Sequence, residues 1–305
     1  MEIIRTEFLS KTYKSGFRRI EALKELSLSV EKGEVFGFLG PNAAGKTTTI
    51  KILMNLTFPS SGRAWILEKE VGTREVKRRV GYLPEHPAFY PNLTGMELLK
   101  FYGRLFGLSG KGERERVIEL FRLVGLEGAA NLPVGSYSKG MLQRIGMAQT
   151  LVNDPEVVIL DEPLAGVDPV GRKSLRDLIL HLKEVGKTVF FSTHILQDVE
   201  LVCDRVGILM KGRLVSVGRL DKILSEEVES IEITLRDLSI KSMEQLTHVA
   251  VNVIGDRDRC MMVVGDENGL ESIQRIVGKR GGRIVSIIPR AKTLEEHFME
   301  KARGL

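Results

Sequence analysis

The sequence has 305 residues and carries 45 Lys and Arg against 40 Asp and Glu, a formal net charge of +5. At 43% hydrophobic and 28% charged it holds enough apolar surface to offset the entropy of ordering, which excludes intrinsic disorder. The length allows two domains, the modest basic excess does not demand nucleic acid, and no apolar run approaches the ~20 residues of a membrane-spanning helix.

Glu2, Arg5 and Glu7 directly after Met1 predict no secretory leader. Leu26, Leu28 and Val30 alternate with polar neighbours, the period of a half-exposed strand. Val35–Leu39 is a short buried-strand pattern that ends in the turn signal Gly40-Pro41-Asn42. From Lys46, the residues Ile50, Ile52, Leu53 and Leu56 suit a helix. Arg74, Lys77, Arg78 and Arg79 stand at helical spacing and predict a solvated helix face. Val80–Leu83 reads as a strand stopped by Pro84. Between Tyr90 and Leu151 the character is helical, with Thr94 and Glu97 spaced as a capping box. Strands return at Val157–Leu160 and Thr188–Ser192. Between them, after Asp168-Pro169, a helix carries Leu175, Leu178, Ile179 and Leu182 on one face. Val206–Met210 and Leu214–Val217 read as a hairpin around Lys211-Gly212. This alternation predicts an α/β domain over residues 1–220 with a helical subdomain inserted at about 90–150.

From about Ser225 the pattern changes. It runs strand Val228–Leu235, helix Ser242–Leu246, strand Val249–Ile254, strand Cys260–Val264, helix Leu270–Lys279, strand Arg283–Ile288 and a helix from Thr293. That β-α-β-β-α-β order predicts a small α+β domain of ferredoxin-like type over residues 225–305. The two cysteines, Cys203 and Cys260, cannot make a disulfide framework. Each lies in an apolar stretch and is expected to be a buried, inert thiol in a reducing compartment.

Gly40-Pro41-Asn42-Ala43-Ala44-Gly45-Lys46-Thr47 fits the phosphate-loop pattern G-x-x-x-x-G-K-[ST]. Strand, loop and helix occur in the right order, so backbone N–H groups at a helix N-terminus can face nucleotide phosphates. Lys46 would neutralise the β- and γ-phosphates, and the Thr47 hydroxyl would ligate Mg2+. The strand Val157–Leu160 ends in Asp161-Glu162. Beside a phosphate loop, Asp161 is the expected outer support of Mg2+, and Glu162 stands where a carboxylate polarises an attacking water. Together the motifs point to nucleotide hydrolysis.

Further residues, in the same order, resemble the ATPase subunit of an ABC transporter over roughly residues 1–220. Tyr13 precedes the phosphate loop where that family places an aromatic on adenine. Ser136-Tyr137-Ser138-Lys139-Gly140-Met141, just ahead of Gln143-Arg144, stands at the signature-motif position. Ala165-Gly166-Val167-Asp168 looks like the D-loop, and Ser192-Thr193-His194 like the switch histidine. The resemblance implies a P-loop ABC ATPase fold with ATP and Mg2+ as cofactors. It implies nucleotide contacts from Tyr13, Gly40, Pro41, Asn42, Ala43, Ala44, Gly45, Lys46, Thr47, Thr48, Ser138, Gly140 and Asp168. Metal support would come from Thr47, Asp161 and Glu85, and hydrolysis from Glu162 with His194 at the γ-phosphate.

In that family the phosphate loop of one subunit faces the signature motif of another. The resemblance therefore implies a homodimer, or a pair of ATPase subunits, closing on ATP. It also implies separate multi-helix membrane permease subunits, docked near Glu85 and Tyr90–Leu108. The chain would be cytoplasmic, peripheral on the cytoplasmic face of the cell membrane, with no nucleic acid as partner. Four departures from the family pattern stand out. Ala43 replaces a usual Gly, at ~1 kcal/mol if the position needs φ > 0. Glu85 replaces the Q-loop glutamine, the signature reads Tyr-Ser-Lys-Gly-Met, and the D-loop has Ala165 and Val167. Glu85, that signature and a C-terminal unit carrying Thr293-Leu294-Glu295-Glu296-His297-Phe298 are similar to the exporter subclass that moves drugs, polysaccharides or other hydrophobic cargo. The alternative is a soluble ABC ATPase of translation or DNA maintenance. The first would carry two cassettes in one chain, and the second a long coiled coil between Glu85 and Ser138; this sequence has neither.

Overall fold

The computed structural model describes residues 1–15, 18–224, 228–256, 258–291 and 293–303. The chain divides into two compact units, Met1–Leu220 and Asp221–Leu305. Ser225, where the sequence pattern changes, lies outside the described residues.

Two long strands, Glu2–Ser15 (β1) and Arg18–Glu31 (β2), pair antiparallel at the start of the first unit. Leu26, Leu28 and Val30 are buried and Ser27 is exposed, the predicted alternation. The strand β1 escaped the sequence reading because its pairing shifts register repeatedly, as between Thr6 and Leu9 and between Leu9 and Lys11. Each bulge resets the period of two that betrays a strand. Val35–Leu39 (β3) is buried throughout and leads into Lys46–Leu53 (α1). Ser61–Ile66 (β4) and Lys69–Glu70 (β5) complete an antiparallel sheet of order β2-β1-β4-β5.

Arg74–Arg79 (α2) is capped by Thr73 and turns Arg74, Lys77 and Arg78 to solvent around buried Val76. Val80–Leu83 (β6) follows, then Gly95–Leu105 (α3), Gly110–Leu123 (α4) and Lys139–Thr150 (α5), the helical stretch predicted. Leu98, Leu99, Val117, Leu120, Phe121 and Ile145 of these helices share a core with Leu83 and Leu160. Val157–Asp161 (β7), Pro169–Glu184 (α6), Thr188–Thr193 (β8) and Leu196–Val202 (α7) come next. The hairpin Arg205–Met210 (β9) and Arg213–Arg219 (β10) completes a six-stranded sheet of order β10-β9-β3-β8-β7-β6, parallel except at β10. Leu39 pairs with Thr193 and Asp161 with Ser192, so β3, β7 and β8 end side by side. In parallel sheets, ligands bind beyond those carboxyl ends.

A short helix, Leu220–Ile223 (α8), comes next in the chain. The second unit then runs Val228–Arg236 (β11), Ile240–Val249 (α9), Asn252–Gly255 (β12), Arg259–Val264 (β13), Glu267–Arg280 (α10), Arg283–Ala291 (β14) and Leu294–Arg303 (α11). Its sheet is antiparallel with order β12-β13-β11-β14, a ferredoxin-like topology. The strand expected over Val249–Ile254 is shorter, because α9 continues to Val249 and Ala250 N–H donates to the Leu246 carbonyl. Ile231, Ile233, Leu235, Leu246, Met262 and Ile273 form its core. Cys260 is buried and Cys203 partly so, and burial pushes both thiols above their usual pKa.

Candidate nucleotide-binding site

The loop between β3 and α1 has the geometry of an anion cradle. Gly45 caps α1 at φ +113°, and no side chain bonds the first N–H groups of the helix, nor does an acidic residue occupy its first turn. Those free N–H groups and the helix dipole favour negative charge. A Cβ on Gly40 would lie 2.4 Å from the Leu209 carbonyl oxygen, and one on Gly45 would lie 2.5 Å from that of Ala22. Ala43 sits at φ +62°, the left-handed region its side chain disfavours. Lys46 is buried, its ammonium donating to the carbonyls of Gly40 at 2.7 Å and Pro41 at 3.2 Å, and lying 3.2 Å from Glu162 Oε1.

At the end of β7, Asp161 Oδ1 accepts from Ser192 Oγ at 2.6 Å and from Thr47 Oγ1 at 3.3 Å. Burial pushes the Asp161 carboxyl above its usual pKa, against the lowering effect of those two hydrogen bonds. Glu162 follows at φ +50°, and its N–H donates to Ser192 Oγ at 3.1 Å. Its Oε2 lies 3.0 Å from His194 Nδ1. Ser192 is one residue that sequence reasoning left out of the site. The signal lies in the strand register, which sets it opposite Asp161.

A cavity of about 500 Å³ opens here, lined by Asn42, Ala43, Ala44, Gly45, Lys46, Thr47, Thr48, Glu85, Glu162, Ala165 and His194. Ile20, Glu21 and Ala22 make the remaining wall. Tyr13, expected at the base, does not line it. It pairs across the ladder with Ile20, and its ring carries the Lys11 ammonium at 5.0 Å. Glu85 is half exposed, 3.7 Å from His86 Nε2. Among the described residues no three His, Cys, Asp or Glu groups converge on a metal position. Thr47 Oγ1 and Asp161 Oδ1, 3.3 Å apart, are hard oxygen donors of the kind that suit an ion taking its other ligands from water and phosphate, as Mg2+ does.

Residues 23–165 match the family model for ABC transporters. An uncharacterised ABC transporter ATP-binding protein of Synechocystis sp. is 42% identical over 99% of this chain and 85% of its own length. The chain belongs to the ABC transporter family. It is an ATP-binding subunit of that family and an ATPase. The bacitracin transport ATP-binding protein of Bacillus licheniformis is 34% identical over 99% of this chain and 98% of its own. A solved ATP-binding cassette, a dimer in a post-hydrolysis state bound to ADP and Pi, is similar at a TM-score of 0.67 and 27% identity. The match covers 71% of this chain and 98% of that one.

The remaining residues expected at the nucleotide of an ABC subunit form a separate patch. Ser138 Oγ caps α5 by accepting from Met141 N–H at 3.3 Å. Asp168 Oδ1 caps α6, accepting from Val170 N–H at 3.1 Å and Gly171 N–H at 3.0 Å. The Gly171 bond, above all, holds the Asp168 carboxyl below its usual pKa. A Cβ on Gly140 would lie 3.7 Å from Asp168 Oδ2, which puts these caps together. Ser138, Gly140 and Asp168 do not line the cavity, and Gly40 and Pro41 serve it only by holding Lys46.

Proposed function

We propose that two such chains close around two molecules of Mg2+-bound ATP and drive export through separate membrane subunits. One observation carries this reading. The Lys46–Glu162–His194 contacts and the Thr47–Asp161–Ser192 contacts meet at one cavity, while Ser138, Gly140 and Asp168 stand outside it. Each chain thus offers two incomplete halves, and a second copy turned by a two-fold axis completes both.

In this reading Lys46 and the α1 N–H groups bind the β- and γ-phosphates. Thr47 and Asp161 would hold Mg2+, with Glu85 on the same cavity wall, and the ion would supply neutralisation of the phosphate charge. Glu162 takes the proton of the attacking water, and His194 fixes the Glu162 carboxylate through the 3.0 Å contact. Ser138 and Gly140 of the second chain close on the γ-phosphate from an α5 N-terminus.

Among the described residues no helix is long and apolar enough to cross a membrane. The bilayer-spanning part is assigned to permease subunits that dock at the cytoplasmic face on the exposed Tyr90, Phe101, Leu105 and Phe106. Export fits relatives named for bacitracin transport and, in Bacillus subtilis, linearmycin resistance.

Glu162→Gln tests the reading. The amide keeps the shape and cannot take the proton, so turnover should fall by about 10²- to 10⁴-fold while ATP still binds. Sedimentation velocity should then show an ATP-dependent dimer. Wild-type turnover in that variant would remove Glu162 as the base.

A further inference from the structure

Asp198 lies on α7, beyond His194 in the chain, and its carboxylate is fully buried. Arg172 and Arg176, one turn apart on α6, close on it. Arg172 Nη2 donates to Oδ2 at 2.6 Å, and Arg176 Nη1 stands 3.5 Å from Oδ1. Asp198 Oδ1 and Arg172 Nε are both buried, and neither has a hydrogen bond. An ion pair left one bond short contributes little to fold stability, since desolvating both groups offsets their attraction. Its placement gives a different reason for it. The helix α6 starts at Asp168, which lies against Gly140, and α7 starts just after His194, whose ring lies against Glu162. The clamp joins the helix behind the outer patch to the helix behind the hydrolytic residues.

We propose that Asp198 is a positioning residue for ATP hydrolysis. Clamped by Arg172 and Arg176, it fixes His194 relative to Asp168, so that closure of the second chain on the outer patch registers at the cavity. This rests on the role given above to His194 and on the place of Asp168 in the outer patch with Ser138 and Gly140. Asp198 itself does not line the cavity and acts through α7. The two unbonded atoms give the clamp a second arrangement. Pairing Arg172 Nε with Asp198 Oδ1 would complete a two-limbed fork after a small slide of α7 along α6.

The test is steady-state ATP hydrolysis by the full chain, with ATP affinity measured separately by calorimetry. Asp198→Asn keeps the shape and removes the charge, whereas Arg172→Lys keeps the charge and removes the fork. In Asp198→Asn, kcat should fall by about 10- to 100-fold at unchanged ATP affinity. The Hill coefficient for ATP should drop toward unity, and Arg172→Lys should shift both quantities the same way, less far. A folded Asp198→Asn chain with wild-type kcat and Hill coefficient overturns the proposal. So does a fall in kcat matched by an equal loss of affinity, which marks general loosening. Should Asp198→Asn not fold, Arg172→Lys decides, and wild-type turnover there overturns the clamp. Slow hydrolysis in Glu162→Gln beside an ineffective Asp198→Asn removes the clamp alone. Normal hydrolysis in Glu162→Gln removes the site reading and the clamp with it.

Discussion

Ala43 holds a left-handed backbone at φ +62° in the loop that faces the phosphates. A Cβ in that conformation costs ~1 kcal/mol or more, while glycine gives back some of the gain as freedom of the unfolded chain. Ala43→Gly should therefore raise stability by somewhat under about 1 kcal/mol in urea unfolding without nucleotide. A loss of stability would show that the loop is unstrained. Asp161 makes a second case of stability given up for a site. Burial lifts its pKa in the folded chain, so the folded state holds the proton more tightly than the unfolded state. Stability then falls as pH rises from the usual carboxylate range through the raised pKa, and the penalty is complete above it. Asp161→Asn keeps an oxygen for Ser192 and Thr47 and removes the charge. Thermal melts should show it more stable than wild type at neutral pH, with the gap narrowing in acid, while hydrolysis is lost.

Among the elements, α3 shows how a local signal fixes a boundary. Thr94 Oγ1 accepts from Glu97 N–H at 3.2 Å, and Glu97 Oε2 accepts from Thr94 N–H at 2.8 Å. These bonds satisfy donors that a helix start leaves open. Thr94 also bridges Pro133, ahead of α5. Thr94→Ala should cost about 1 kcal/mol, read as a lower urea midpoint at unchanged slope. An unchanged midpoint would mean that water replaces the cap without loss. The parallel strands work differently. Asp161 at the end of β7 marks the site in the sequence, but only the register of β3, β7 and β8 brings Thr193 beside Leu39 and Ser192 beside Asp161.

The two units of the whole molecule each have their own core. Apolar clusters of the first unit draw on residues up to Leu209, and that of the second lies within residues 231–284. All the nucleotide-site residues belong to the first unit, while the second exposes Val285, Ile287 and Ile288 on β14. A chain ending at residue 224 should fold and bind ATP with unchanged affinity. In the Glu162→Gln background it should dimerise more weakly, by about 10-fold in dissociation constant, or ~1.4 kcal/mol. Sedimentation velocity with ATP measures this. Full-strength dimers would deny the second unit a part in pairing, and loss of ATP binding would show that the units are not separable.

The phosphate loop was legible in the sequence because spacing along one strand–loop–helix connection fixes its chemistry locally, and the Asp161-Glu162 pair because two carboxylates end an apolar strand, while His194 was legible through the family resemblance alone. So were the buried strands, whose apolar runs need no partner to be read, and the Thr94 cap. The sheet β2-β1-β4-β5 was not legible, since β1 resets its alternation at each bulge. Nor was Ser192 as a partner of Asp161, the Ile20–Ala22 wall where Tyr13 was expected, or the Asp198 clamp. Each of these depends on which residues lie opposite one another across strands or between helices far apart in the chain. Local propensity carries no information about that pairing. It is decided by how the apolar faces of all the elements bury one another at once.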